Sequence, residues 1–157
     1  MAKKSAGILL YRVNDGALEV LLAHPGGPFW ARKDMGAWTI PKGEIGDGEE
    51  PLAAARREMA EETGIDAQGP AIALAPIRQK GGKTVIAFAV LGDCDPAAIR
   101  SNTFSTEWPP GSGQQQEFPE VDRAQWFAIK EAKGKILPAQ IPLLEELATR
   151  LRGKTGV

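Results

Sequence analysis

The sequence predicts one α/β domain, and three observations carry that expectation. Short β-rich runs bounded by turn residues recur along the chain, residues 50–63 hold mostly good helix formers, and residues 138–151 repeat apolar side chains at helical spacing. A chain of 157 residues has room for one sizeable core and not comfortably for two, so a single domain over 1–157 is expected.

Ile8 to Val13 and Leu18 to Ala23 are β-rich and separated by Asn14-Asp15-Gly16, which predicts a hairpin. His24 to Ala37, with its glycines, prolines and charges Arg32, Lys33 and Asp34, reads as an exposed loop. It leads into a short strand, Trp38 to Ile40, that Pro41 stops from continuing. From Glu50 to Thr63 a helix is expected, with Pro51 in its first turn and Gly64 at its C-cap. Leu52, Ala55 and Met59 lie on one stripe of it and give it a face to bury.

Ile72 to Arg78 and Thr84 to Leu91 read as two strands around Lys80-Gly81-Gly82-Lys83. Asp93 to Gln116, rich in Pro, Gly, Ser, Thr and Gln, reads as a long surface loop with a helical turn at Pro96 to Arg100. Ala124 to Ile129 is the expected last strand. Pro138 to Leu151 is the expected closing helix, with Ile141, Leu144, Leu147, Ala148 and Leu151 at helical spacing.

Composition narrows the partners. Nineteen basic and twenty acidic side chains leave a formal charge of −1, so no global field draws the chain to a nucleic-acid polymer or an anionic membrane. Any anion it takes must be bound locally, which points to a small molecule. Cys94, the single cysteine, can make neither an internal disulfide nor a thiolate metal site and suits a small buried position. The apolar run Ala6 to Val13 after Met-Ala-Lys-Lys-Ser is too short for a signal peptide, and no window reaches the ~18 apolar residues of a membrane span. Cytoplasmic residence is the expectation, as a monomer or homodimer.

The chemistry concentrates in two adjoining stretches, Gly43 to Glu49 and Arg57 to Ile65. At ~100° per residue, Glu58, Glu61 and Glu62 project within an arc of about 100° on one helix surface, beside the apolar stripe. Like charges at these spacings repel, and negative charge near a helix C-terminus opposes the macrodipole. A divalent cation reverses that cost, and hard carboxylate oxygens suit Mg²⁺ or Mn²⁺. The same pattern also suits a solvated acidic face paired with Arg56 and Arg57.

The stretch as a whole resembles the Nudix box, G-x5-E-x7-R-E-U-x-E-E-x-G-U with U aliphatic. Gly43, Glu49, Arg57, Glu58, Met59, Glu61, Glu62, Gly64 and Ile65 occupy every defined position over 23 residues. The resemblance implies an α/β/α sandwich with a mixed curved sheet, and a hydrolase that cleaves phosphoanhydride bonds in nucleotide-like substrates. It also implies a loop–helix–loop in which the Gly43 carbonyl and Glu58, Glu61 and Glu62 hold the metal directly or through water. Arg57 and Glu49 would support it, Arg57 reaching back to an acid at the helix start and steadying the loop that presents Gly43.

Similar hydrolases often add an acid from the loop before the last core strand. Glu120 stands there, six residues ahead of Trp126, with Glu117 the nearby alternative. It suits either a metal ligand or a general base toward water. Lys42 is placed to add positive charge near phosphates, or to sit solvated; Arg32 and Lys33 read as solvated loop charges; His24 reads as structural or supporting. Trp30 and Trp108, in polar loops, are candidate stacking surfaces for adenine, as is Phe104, whereas Trp38 and Phe29 suit core or loop-anchoring roles.

Trp38-Thr-Ile-Pro-Lys-Gly43 resembles the segment that leads into the box in diadenosine tetraphosphate hydrolases, which split their substrate into ATP and AMP. The resulting expectation is asymmetric cleavage of that dinucleotide. The alternatives are a pyrophosphatase for nucleoside triphosphates, oxidised nucleotides or nucleotide sugars, and a noncatalytic nucleotide-sensing module.

Overall fold

Strands β1 (Lys4–Asn14) and β2 (Ala17–Pro25) form the expected hairpin in a computed structural model, which describes residues 3–79 and 81–155. The pair closes at Asn14 and Ala17, with φ of 50° at Asp15 and 79° at Gly16. Two positive φ values make the tight turn whose twist matches that of the strands it joins. Met1 and Ala2 at the N-terminus, Lys80 in the expected glycine turn, Gly156 and Val157 lie outside the described residues.

One mixed sheet runs in the order β4-β6-β1-β2-β9, where β4 is Ala71–Ala73, β6 is Lys83–Leu91 and β9 is Val121–Ala128. β1 and β6 are parallel and the other pairs antiparallel. Central β1 is buried on both faces from Ser5 to Tyr11, which is why it reads as a continuous apolar run. On one face Ile8, Leu10, Leu21 and Val90 pack against Ala54, Ala55 and Met59 of helix α1 (Pro51–Thr63). On the other, Leu9, Val20, Leu22, Val85 and Phe127 meet Ala132 of α2 (Ile129–Lys135) and Leu143, Leu144 and Leu147 of α3 (Ile141–Thr155). Helices therefore cover both faces of the sheet, the α/β/α sandwich expected.

Several boundaries differ from the expectation. Trp38 to Ile40 is not a strand: Thr39 only bridges Ala23, Trp38 bridges Ile136, and the Ile40 amide donates to the buried side chain of Gln140. Pairing resumes beyond Pro41 as β3 (Lys42–Glu44), antiparallel to β1. The expected strand from Ile72 to Arg78 is broken at 74–76 into β4 and β5 (Ile77–Gln79), both paired to β6. Pro76, which has no N–H to offer the ladder, lies in that break.

The largest correction concerns Asp93 to Gln116, which contains a strand rather than running wholly as a loop. After a short 3₁₀ turn at Pro96–Ala98, β7 (Thr103–Glu107) pairs with β8 (Gln115–Pro119) in a separate two-stranded sheet. Helix α2 was not expected either. α3 follows a 3₁₀ turn at Pro138–Gln140 and buries the predicted stripe with Leu143 added. Among the described residues no helix is long and apolar enough to cross a membrane.

Gly7 decides where β3 can lie. A Cβ there would stand 2.7 Å from the Pro41 carbonyl oxygen and 2.8 Å from the Lys42 Cβ, so only a bare α-carbon admits this strand. Gly7→Ala is expected to cost about 1–3 kcal/mol of stability through overpacking, read from urea unfolding, and to displace β3. A variant as stable as the parent would show that β3 has room to spare.

Candidate active site

The site assembles from three segments that the backbone draws together. β3 presents Gly43 to the side of α1, and there the Glu58 carboxylate fills the space that a side chain at residue 43 would need. Downstream of the 3₁₀ turn, Arg100 N–H donates to the Thr63 carbonyl at 2.9 Å and Asn102 N–H to the Glu61 carbonyl at 2.9 Å, capping the end of α1. The Asn102 carbonyl accepts from Glu120 N–H at 2.8 Å, and the Glu120 carbonyl accepts from Gly26 N–H at 2.9 Å. Two links of backbone thus tether Glu120, between β8 and β9, to the acidic end of α1. Asn102 carries no chemical signal in the sequence, so its role here escaped the reading of motifs.

Arg57 lies at the centre of the acids. Its guanidinium grips Glu49 twice, at 2.8 and 3.1 Å, and also donates to Glu58 at 2.9 Å, to Glu61 at 3.2 Å and to the Glu44 carbonyl at 3.1 Å. Glu49 additionally accepts from the Gly46 amide at 2.9 Å, so one ion pair ties the start of α1 to the loop behind Gly43. Arg57 and the Gly46 amide together lower the Glu49 pKa to about 2. Arg56 takes no part, since it donates to the Ala67 and Gly69 carbonyls.

The three helix acids therefore do not form one uniform patch. Glu58 and Glu61 turn to Arg57, whereas Glu62 lies half-buried beside Lys42. Burial first, then repulsion from Glu58 and Glu120, pushes the Glu62 carboxyl up to about 8. Burial likewise raises Glu58, partly offset by Arg57. The Lys42 ammonium is lowered chiefly by burial and further by Lys83, a shift that Glu62 and Glu58 oppose. Glu120 is exposed, and its carboxylate makes no hydrogen bond or ion pair among the described residues. Glu117 sits on β8 opposite Ser105 and is also exposed.

Among the described residues, no three His, Cys, Asp or Glu side chains stand ready as a metal cage. Two of the acids, Glu58 and Glu61, are instead engaged by the Arg57 guanidinium. The donors still suit a hard divalent ion. They are carboxylate oxygens beside a backbone carbonyl, crowded until one acid holds its proton to about pH 8, which is the charge imbalance such an ion relieves.

The remaining candidates fall into two groups. Trp38 is buried, donates to Asp34 at 2.8 Å and packs edge-on against His24 and Phe127, which makes it a core anchor. His24 is fully buried between the Asp122 carboxylate at 2.9 Å and the Lys33 carbonyl at 2.6 Å, a structural position on β2 and not in a loop. Phe29, expected as an anchor, is instead 61% exposed. With Trp30, Phe104 and Glu120 it lines a cavity that Trp108 does not reach, though the Trp108 ring contacts Phe29. Lys33 is exposed, as expected, and its ammonium stands 5.0 Å from the Trp30 ring centroid.

Comparison with known proteins gives a consistent family. The model for the NUDIX domain matches residues 1–147. An RNA pyrophosphohydrolase of Rhizobium meliloti (strain 1021) is 32% identical over 126 residues, 70% of each chain. An asymmetrical bis(5'-nucleosyl)-tetraphosphatase of Sus scrofa is 37% identical over 73 residues, 43% of this chain and 46% of that one. Among solved structures, a C. elegans Ap4A hydrolase binary complex superposes with a TM-score of 0.66 at 23% identity, over 97% of this chain and 99% of that one. The NUDIX domain of Shewanella oneidensis NrtR with ADP ribose gives 0.68 at 18% identity, over 96% and 89%. At such identities these structures speak for the fold alone.

The Glu62 carboxyl makes stability depend on pH. An unfolded glutamate ionises near 4.5 and the folded one near 8, so this group's contribution is complete below 4.5 and lost as pH climbs toward 8. Glu62→Gln is therefore expected to stabilise the metal-free protein at pH 8, with the gain shrinking as pH falls and gone near pH 4.5. Thermal unfolding across that range checks it; a gain independent of pH would contradict the assigned cause.

Proposed function

We propose, from the premise that this chain belongs to the NUDIX domain family and is a pyrophosphohydrolase, that its substrate is a nucleoside polyphosphate cleaved with the help of Mg²⁺ or Mn²⁺. The observation that carries the reading is the convergence of Glu58, Glu62 and Glu120, mutually repelling acids from α1 and the β8–β9 junction. Stability alone does not favour that crowding, whereas phosphate chemistry makes use of it. A divalent ion held by Glu58, Glu61, Glu62 and the Gly43 carbonyl would neutralise phosphate oxygens and lower the pKa of a bound water.

The protein's own groups divide the remaining work. Arg57 holds Glu49 and the Glu44 carbonyl, which steadies the loop behind Gly43. Lys42 carries positive charge beside Glu62, where it can face a substrate phosphate. Glu120 is the acid least committed to other partners, and it takes the proton of the water that attacks phosphorus as the bridging P–O bond breaks. Glu62, half-buried beside Lys42 and repelled by Glu58 and Glu120, is the ligand whose ionisation most needs a cation.

For the finer choice of substrate, asymmetric cleavage of diadenosine tetraphosphate to ATP and AMP is the reading we favour. It is supported by the Trp38 to Gly43 segment and by a relative named as an asymmetrical bis(5'-nucleosyl)-tetraphosphatase. The relative named as an RNA pyrophosphohydrolase supports a second reading, pyrophosphohydrolysis of RNA.

Purified protein with Mg²⁺ is expected to turn over diadenosine tetraphosphate to ATP and AMP, resolved chromatographically beside nucleoside triphosphates, nucleotide sugars and 5'-triphosphorylated RNA. Turnover confined to the RNA or to monomeric nucleotides rejects the dinucleotide. Glu62→Gln should lose turnover by orders of magnitude while remaining folded. Arg57→Ala is expected to weaken Mn²⁺ binding severalfold in a titration followed by electron paramagnetic resonance. Charge alone predicts tighter binding, so an increase in affinity would remove the positioning role of Arg57.

A further inference from the structure

A cavity of about 380 Å³ opens between two walls that come from distant parts of the chain. One wall is the loop after β2, contributing Pro25, Gly26, Phe29 and Trp30; the other is Phe104 on β7, with Glu120 at the junction. None of these aromatic residues belongs to either core cluster. Phe29 is 61% exposed, while Trp30 and Phe104 are half-buried. Aromatic rings held outside the core at a cleft are better explained by a ligand than by packing.

Both walls are pre-set. The loop is pinned where the Lys33 carbonyl meets buried His24 at 2.6 Å, and where Asp34 accepts from Trp38 at 2.8 Å and from Lys135 at 2.6 Å. The hairpin is held to it by the Gly26 amide on the Glu120 carbonyl. The Phe104 ring lies so close to Gly27 that a Cβ there would come within 2.8 Å of it. At the far end the Trp108 ring meets the Phe29 ring edge-on, 5.6 Å between centroids. A cleft with little left to order binds a flat ligand at low entropic cost.

Glu120 belongs to both places, since it borders the cavity and repels Glu58 and Glu62. A flat group seated among Phe29, Trp30 and Phe104 would therefore direct whatever it carries toward the acids. The Lys33 ammonium, 5.0 Å from the Trp30 ring centroid, adds positive charge beside one cavity wall. A larger hollow of about 620 Å³ beside β4 has neither property: Ala71, Ile72, Ala73 and Arg150 line it, and Arg150 is committed to Glu146 at 3.0 Å.

We propose that the aromatic cavity is the nucleobase subsite, and that the β7–β8 hairpin sets substrate preference by supplying Phe104 and by steadying Phe29 through Trp108. The inference rests on the nucleotide hydrolase reading. The cavity lies near the low end of ligand pockets, ~300–1,000 Å³, which suits a single nucleoside. The second nucleoside of a dinucleotide then lies outside it.

The test compares kcat/KM for adenosine 5'-tetraphosphate with that for ribose 5-triphosphate, which lacks the base, in the full chain with Mg²⁺. The ratio is expected to fall about tenfold in Trp30→Ala and in Phe104→Ala, and to recover in Trp30→Phe, which restores a ring. Ratios equal to the parent's in both alanine variants, with unchanged circular dichroism, would overturn the proposal. If no nucleotide is hydrolysed at all, the hydrolase reading fails separately. Saturation-transfer NMR with AMP then tests the cavity itself: contact at the adenine protons that is lost in Trp30→Ala supports it, and no contact in the parent overturns it.

Discussion

Negative charge crowded at the C-terminal end of α1 is the constraint on which the rest of the structure depends. Glu58, Glu61 and Glu62 sit where the helix dipole is already unfavourable to acids, and Glu120 is brought in against them from another element. Left alone, such a group would splay into water. It is kept together because its members are fixed by their surroundings: the Arg57 guanidinium on Glu58 and Glu61, Lys42 beside Glu62, and a ladder of backbone bonds through Asn102 behind Glu120.

The scaffold is arranged to bear that cost. α1 is anchored through Ala54, Ala55 and Met59 on a sheet whose central strand is covered on both faces, so the acids ride on a helix that burial holds in place. Its last turn is completed by Gly64, with φ of 77°, and by the amides of Arg100 and Asn102. Asn102, whose amide caps the helix end, also accepts from the Glu120 amide, so stability and chemistry share that support.

Much of this was legible in the sequence, and the part that was legible is local. Asp15-Gly16 dictates its turn because the required φ values are positive. Pro51 and Gly64 bound α1 because one needs no amide partner and the other tolerates the left-handed cap. The Nudix box could be read from spacing since its acids lie on neighbouring helical turns. Elements whose existence depends on distant partners were misread. The β7–β8 hairpin has a polar, glycine-rich connection that looks like a loop until its strands pair, and Trp38 to Ile40 looked like a strand until α2 and Gln140 claimed its hydrogen bonds.

By itself the sequence determined the helix, its caps, the first hairpin and which residue types crowd together, since each follows from backbone preference or from periodicity within a few turns. Only the tertiary structure decided that Glu58 and Glu61 face Arg57 while Glu62 lies half-buried beside Lys42, that Glu120 joins them from across the chain, and that Phe29 and Trp30 meet Phe104 around one cavity. Those outcomes depend on burial and on contacts between segments far apart in sequence, which no local pattern encodes.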